Sequence, residues 1–470
     1  MTTGGTVNQC FRRMREKLAD SPFSLDGRYS RVIVQRAEEN ASLSEKGRAE
    51  SMDTSRTAYR EMLTKRPLNV QALWGTEDLG LVSGRDVVIA ARESQSIILA
   101  ANARSPLTVK GVFKAAKACN AAVYIEIAKS EDSYCYGSFA SLPDYAARYS
   151  AELGHGIIFG LHVDHYGIKS REDVQKSVAH IPDIVRRGWT SFAVDASHLQ
   201  DWENLCATRD VCMSIPAYLG LEVEVGEIKG PGELSTVKEA LFFIGGLNSW
   251  GISPDLLAIS NGSLHGTYDT TTGQHEGIDL DRTLEIANAI RPYGVAIAQH
   301  GISGTPLSKV SRFRKFGIAK GNVATLFQNV VFGLKMDPET GNAVVENGSY
   351  VKEPDRGISA ELWNKIVEWA DGKKYSRKSG DYKKANLPFG EAIMNEPQPC
   401  IDRIVAETEE WATRFLKAFN AEGTAEKVLE TIARRPFDNA APERPVLHKR
   451  SEFTCEGAQQ ERGSDADYSD

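Results

Sequence analysis

GIIFGLHVDH, residues 156–165, is a short apolar run that ends in an aspartate flanked by two histidines, His162 and His165. Two later runs share the pattern: LLAISNGSLHG, which carries His265, and VAIAQHGISG, which carries His300. The chain has only nine histidines in 470 residues, so their recurrence at the downstream ends of strand-like runs is a signal. Working outward, strand-like runs fall at Ser96–Ala101, Ala122–Ala128, Gly156–His162, Ser191–Asp195, Ala217–Val225, Leu256–Ser260, Val295–Gln299 and Phe316–Lys320. Helical patterns fill most gaps, such as VKGVFKAAKAC after the first run and SREDVQKSVAHIPDIVRRG after the third. Eight strands alternating with helices over about 230 residues predict an α/β fold, a closed (β/α)8 TIM barrel with helical N-terminal and C-terminal extensions. The competing doubly wound open sheet more often carries a GxGxxG turn after its first strand, and none follows here.

The predicted organisation is a helical N-terminal extension over 1–88, the barrel over 89–340, a helical C-terminal region over 341–440 and a disordered tail over 441–470. Periodic stretches at Cys10–Leu18 and Ser55–Leu63 suggest the first extension, and Gln398–Phe419 reads as a strong helix. The basic stretch Asp371–Lys384 reads as a solvated loop. A net charge of -7 argues against nucleic-acid binding. No run approaches the roughly 18 apolar residues that span a bilayer, and the N-terminus lacks a secretory apolar core. Seven scattered cysteines without a CxxC pair suggest neither a disulfide framework nor a cysteine zinc site. The expected setting is a reducing cytoplasm, without a membrane or nucleic-acid partner.

In a barrel of this kind the downstream ends of all the strands converge on one face, so distant histidines can meet there around one metal ion. His165, His265 and His300 arrive on three strand ends, and three protein ligands with an open fourth position suit a catalytic zinc. Alternation along a strand points Asp164 and His165 to opposite sides, with His165 turning into the loop. Glu222 and Glu224 in EVEVGEIKG share one face of the fifth strand, and Asp195 ends the fourth. These carboxylates suit metal support, alternative ligation or acid/base work. Ser197 and His198 in DASHL do not form a hydrolase relay, because the two are adjacent and no GxSxG elbow exists. HGISGTP and GNVAT, after the seventh and eighth strands, are small-residue loops of the kind that cradle phosphate. Asn102 follows the first strand, where it can serve a sugar hydroxyl, a phosphate or a turn.

HVDH, DASHL, EVEVGEIKG, SNGSLHGTY, QHGISGTP and KGNVAT, in that order, resemble the class II (metal-dependent) fructose-bisphosphate/tagatose-bisphosphate aldolases over roughly Ser96 to Val331. The resemblance implies an enzyme that reversibly cleaves a phosphorylated ketose, fructose 1,6-bisphosphate or a related sugar, to dihydroxyacetone phosphate and an aldehyde through a zinc-stabilised enediolate. It implies zinc at His165, His265 and His300, with Asp195 and Glu224 as carboxylates that bind metal in alternative positions, and it allows a second divalent or a monovalent cation. It makes Asp164 the group that exchanges a proton with the oxygen at the cleaved bond, and Glu233 the nearest candidate for the C–H base. Gly266, Gly301, Ser303 and Thr325 match the phosphate cradle, and Asn102 and Asn322 match residues that hold the dihydroxyacetone phosphate portion. A homo-oligomer, dimer or tetramer, is implied as well.

The chain departs from that pattern in places. The fifth-strand loop reads KGPGEL where the family usually has paired acidic residues, and Ala324 stands where many fructose-specific members have aspartate. Ala128 occupies the place of a phosphate-contacting serine, with Ser130 nearby. Lys383, Lys384 and Arg403 are regional candidates for the distal phosphate. Two other readings compete: a Schiff-base aldolase using Lys320 or Lys129, and a catalytically weak barrel retained as a partner or assembly subunit.

Overall fold

The computed structural model describes residues 57–226, 234–263, 277–435 and 444–455. From Tyr59 onward these belong to one unit. Its centre is a closed barrel of eight parallel strands in sequence order: β1 (Ile98–Asn102), β2 (Val123–Ala128), β3 (Phe159–Gly167), β4 (Ser191–Asp195), β5 (Gly220–Val225), β6 (Leu256–Ile259), β7 (Ala296–Gln299) and β8 (Ile318–Val323). β8 pairs back onto β1, with Ala100 opposite Asn322. Each strand lies between the barrel interior and an outer ring of helices, so it reads as a continuous apolar run rather than an alternating one. β1 and β2 are buried at every position.

β3 differs from its prediction. The strand does not end at His162; it continues through Asp164 and His165 to Gly167, with a register shift against β4 between Val163 and Tyr166. His165 sits inside that shift in a left-handed conformation, φ 40°. A bulge of this kind re-aims the side chains that follow it.

The entrance at the strand starts is closed by the helix Gly84–Glu93, whose first N–H groups are capped by Ser83. Arg85 extends from that helix to the fully buried Asp255 (3.1 Å) and to the carbonyls of Ala217 and Ser253 (both 2.8 Å). Arg444 binds the other oxygen of Asp255 at 2.6 Å. Residues 444–455, inside the stretch read as a tail, therefore lie against the barrel: Tyr293 meets His448 at 2.6 Å, and the ring of Phe453 packs on Phe242. Of the two predicted N-terminal helices, Cys10–Leu18 lies outside the described residues, while 57–64 are helical.

Beyond β8 the chain builds a second apolar cluster, which includes Phe332, Leu334, Ile358, Trp363, Ile366, Tyr382 and Ile393. The long helix Gln398–Ala418 packs along the helix Leu107–Ala118, where Gly111 allows close approach. A Cβ on Gly111 would stand 2.5 Å from Thr408 and 2.6 Å from the carbonyl oxygen of Val405. Among the described residues, no helix is long and apolar enough to cross a membrane.

Candidate active site

A cavity of about 790 Å³ opens at the strand ends. Asn102, Asp164, His165, Asp195, Glu224, His300, Gly301, Ser303, Asn322 and Thr325, all singled out in the sequence, line it together. His265, Gly266 and Glu233 lie outside the described residues. Asp164 and His165 were expected to face opposite ways. The β3 bulge overrides simple alternation, and both reach the same cavity.

One wall is a cluster of imidazoles and carboxylates. Nδ1 of His165 lies 3.0 Å from Glu224 and 3.5 Å from Asp195, and the rings of His165 and His300 are 4.3 Å apart. Donor atoms of Asp164, His165 and His300 fall within 4.8 Å of one another, and so do those of His165, Asp195 and Glu224. Burial, reinforced by Asp195, pushes the Glu224 carboxyl up to about 8. Burial also opposes charge on His165, yet Glu224 and Asp164 hold it well above the ordinary histidine range. This surplus of buried acceptor groups fits a divalent cation. Two imidazoles with carboxylates are a donor set for zinc and its neighbours.

Beneath that wall lies a network that motif reading did not assemble. Lys320, fully buried, donates to Glu222 at 2.8 Å and to His162 at 2.9 Å, and stands 3.5 Å from Glu126 and 3.7 Å from Asp164. Burial disfavours its charge, but Glu222, Glu126 and Asp164 keep it firmly an ammonium. A Schiff-base nucleophile must be a neutral amine, so this environment argues against that role for Lys320. The amine of Lys129 donates to the carbonyl of Gly167 at 2.8 Å and sits over the ring of Tyr166.

The rest of the lining is polar, and it includes the Arg104–Glu131 ion pair and Lys383. Asn322 donates to Asp164 at 2.9 Å. Asn102 donates to Glu131 at 2.6 Å, and Glu131 is held in turn by Arg104 at 2.7 Å and the N–H of Ala128 at 3.1 Å. These bonds leave Oδ1 of Asn102, Oδ1 of Asn322, Oγ of Ser303 and Nε2 of Gln328 buried on the cavity lining without a partner. Buried polar atoms are nearly always hydrogen-bonded, so such a set marks the place of a polar ligand. Ser197, by contrast, donates to Asp195 at 2.6 Å, which makes it a support for that carboxylate rather than a nucleophile.

The stretch Asp371–Lys384 is not wholly a solvated loop. Ser379, Gly380, Tyr382 and Lys383 line the cavity, and Tyr382 is buried against Trp363 in the second apolar cluster. Asn386 ties this segment down by donating to Gln328 and to the carbonyl of Lys383. Of the regional cations, Lys383 reaches the cavity, Lys384 pairs with Asp381 at 2.9 Å, and Arg403 lines a separate, smaller cavity. Glu126 and Lys320 were visible in the sequence as lone charges inside apolar runs, VYIEIA and FGIAKGN. Arg104, Glu131, Gln328 and Tyr350 carried no comparable signal.

The family model described as class-II fructose-bisphosphate aldolase matches residues 82–371, the barrel and the start of the C-terminal region. The chain belongs to that family. It is thus a class II aldolase, a lyase, from a family that is generally metal-dependent. A fructose-bisphosphate aldolase of Streptococcus pneumoniae is 28% identical over 258 residues, which cover 53% of this chain and 80% of that protein. One of Streptococcus pyogenes serotype M1 matches at the same identity and coverage. Among solved structures, the YdjI aldolase from Escherichia coli K12 superposes with a TM-score of 0.47 at 17% identity, over 73% of this chain and 99% of that one.

Proposed function

We propose that this class II aldolase reversibly cleaves a phosphorylated ketose, fructose 1,6-bisphosphate or a related sugar, to dihydroxyacetone phosphate and an aldehyde. The observation that carries the reading is one cavity with two unlike walls. A cluster of imidazoles and carboxylates from β3, β4, β5 and the end of β7 lines the same cavity as the small-residue loops after β7 and β8. The first suits a cation and the second an anion, as a phospho-ketose requires.

His165 and His300, with His265, would hold a zinc ion, and Asp195 and Glu224 would offer it alternative oxygens. Such an ion supplies Lewis-acid polarisation of the ketone and its neighbouring hydroxyl. The chain's own groups carry the protons and the positioning. Asp164, steadied by the Asn322 amide at 2.9 Å, exchanges the proton of the C4 oxygen as the carbon–carbon bond breaks or forms. Glu233 is the proposed base at C3 of dihydroxyacetone phosphate. Gly301, Ser303 and Thr325, with Gly266, bind its phosphate, and Asn102 and Asn322 offer their unpartnered oxygens to substrate hydroxyls. Positioned acid/base catalysis is worth about 10²–10⁴-fold.

The test is release of triose phosphate from fructose- and tagatose-bisphosphate by zinc-loaded and by exhaustively chelated protein. Turnover that needs zinc supports the reading, and full activity without metal overturns it. Tight metal binding with no turnover on any phosphorylated ketose would instead favour a weak barrel kept as an assembly subunit.

A further inference from the structure

The reaction described above makes no use of the ammonium buried under the cavity. We infer that Lys320 is a positioning residue which, through Glu222, fixes His300 in the tautomer protonated on Nε2, making Nδ1 the nitrogen that faces a metal ion. The inference rests on the reading of His300 as a metal ligand.

An ammonium has three donors and no acceptor, and an ionised carboxylate only accepts. These two facts assign the protons of the whole network. Because Lys320 donates to Nε2 of His162 at 2.9 Å, that nitrogen is unprotonated, and His162 carries its proton on Nδ1, 2.8 Å from Oγ of Ser191. The second donor goes to Oε2 of Glu222 at 2.8 Å. The third points into the space between Glu126 and Asp164, at 3.5 and 3.7 Å. Glu222 thereby has one oxygen committed, and its other oxygen, Oε1, meets Nε2 of His300 at 3.1 Å. A carboxylate oxygen facing an imidazole nitrogen at that distance requires the nitrogen to carry the hydrogen.

The order of dependence matters. Glu222 is 0 % exposed, so its partners inside the barrel are what surround its carboxyl group. Without Lys320 its Oε2 loses the donor that holds the carboxylate in line with His300. A carboxylate free to swing no longer dictates which ring nitrogen carries the hydrogen, so the ring can turn over or change tautomer. Partners of this kind behind a metal-bound histidine typically cost 10–100-fold in metal affinity or activity when removed.

The experiment uses the full chain. Nitrogen-15 NMR of the imidazoles in the metal-free wild type, with the His300 signals assigned by their loss in His300→Gln, should show a proton on Nε2 and an unprotonated Nδ1. In Lys320→Met this pattern should be lost, and zinc affinity by chelator competition should fall about 10–100-fold. Glu222→Gln should fall similarly. The double variant Lys320→Met/Glu222→Gln should lose much less than the product of the single losses, because the Lys320–Glu222 pair is then removed together rather than broken. A proton on Nδ1 of His300 in the wild type overturns the inference, as does a Lys320→Met protein with unchanged tautomer and affinity, or losses that simply multiply. If Lys320→Met fails to fold, the wild-type tautomer decides. If the wild type binds no zinc, the metal-site reading fails, while the tautomer still reports on the Lys320–Glu222 arrangement.

Discussion

Asp164 stands between an amide that donates to it and an ammonium 3.7 Å away, and it opens onto the cavity. Those contacts fix the direction of the carboxyl group, as a group that takes and returns a proton at one atom requires. Asp164→Asn keeps the shape and removes the proton acceptor. We expect kcat to fall about 10²–10⁴-fold with KM nearly unchanged, measured by steady-state cleavage of the best bisphosphate substrate. At this scale the sequence was informative where a residue broke a pattern. Glu126 and Lys320 interrupt apolar strands, and a buried charge needs a partner, so each signalled that others waited in the barrel. Glu131 gave no such warning. It lies in a polar stretch, and only the fold reveals that it orients Asn102 and turns Oδ1 of that residue to the cavity.

The strands were legible because parallel strands covered on both faces read as unbroken apolar runs, and all eight appear near the predicted places. The bulge in β3 was not. Nothing in HVDH announces that His165 takes a positive φ, and two-residue alternation would have sent it away from Asp164. The stretch Asp371–Lys384 reads only in part as it stands, because its lysines resemble a solvated face, while the attachment of its last residues depends on the distant Gln328 and Trp363. Packing between elements gives a separate test. Gly111 leaves no space for a side chain against the helix Gln398–Ala418. Gly111→Val should lower stability by about 1–3 kcal/mol in urea unfolding, since overpacking at a close crossing displaces both helices. Unchanged stability would show that the two helices separate without cost.

The molecule as a whole should respond to metal and to pH. If zinc binds only the folded state, a hundredfold excess over its dissociation constant adds about 2.7 kcal/mol, so the melting temperature should rise with zinc in the wild type and not in His300→Ala. Glu407, half-buried between Arg356 and other carboxyls, is pushed up by burial from 4.5 to about 7. A group whose folded value is raised contributes stability that is complete below its unfolded value and lost as pH rises through the folded one. Stability should therefore decline between about pH 4.5 and 7 by a component that Glu407→Gln removes, as urea unfolding across that range would show. The pairing of first and last elements carries a further consequence. β1 bonds to β8, the N–H of Ile97 bonds to the carbonyl of Phe419, and the helix after β1 is covered by Gln398–Ala418. During synthesis these early segments leave the ribosome long before their partners exist, since Asn322 follows Ala100 by 222 residues and Phe419 follows Ile97 by 322. The nascent chain must therefore carry an open sheet edge and a bare apolar helix face until those partners emerge, the kind of surface that exposes a growing chain to aggregation.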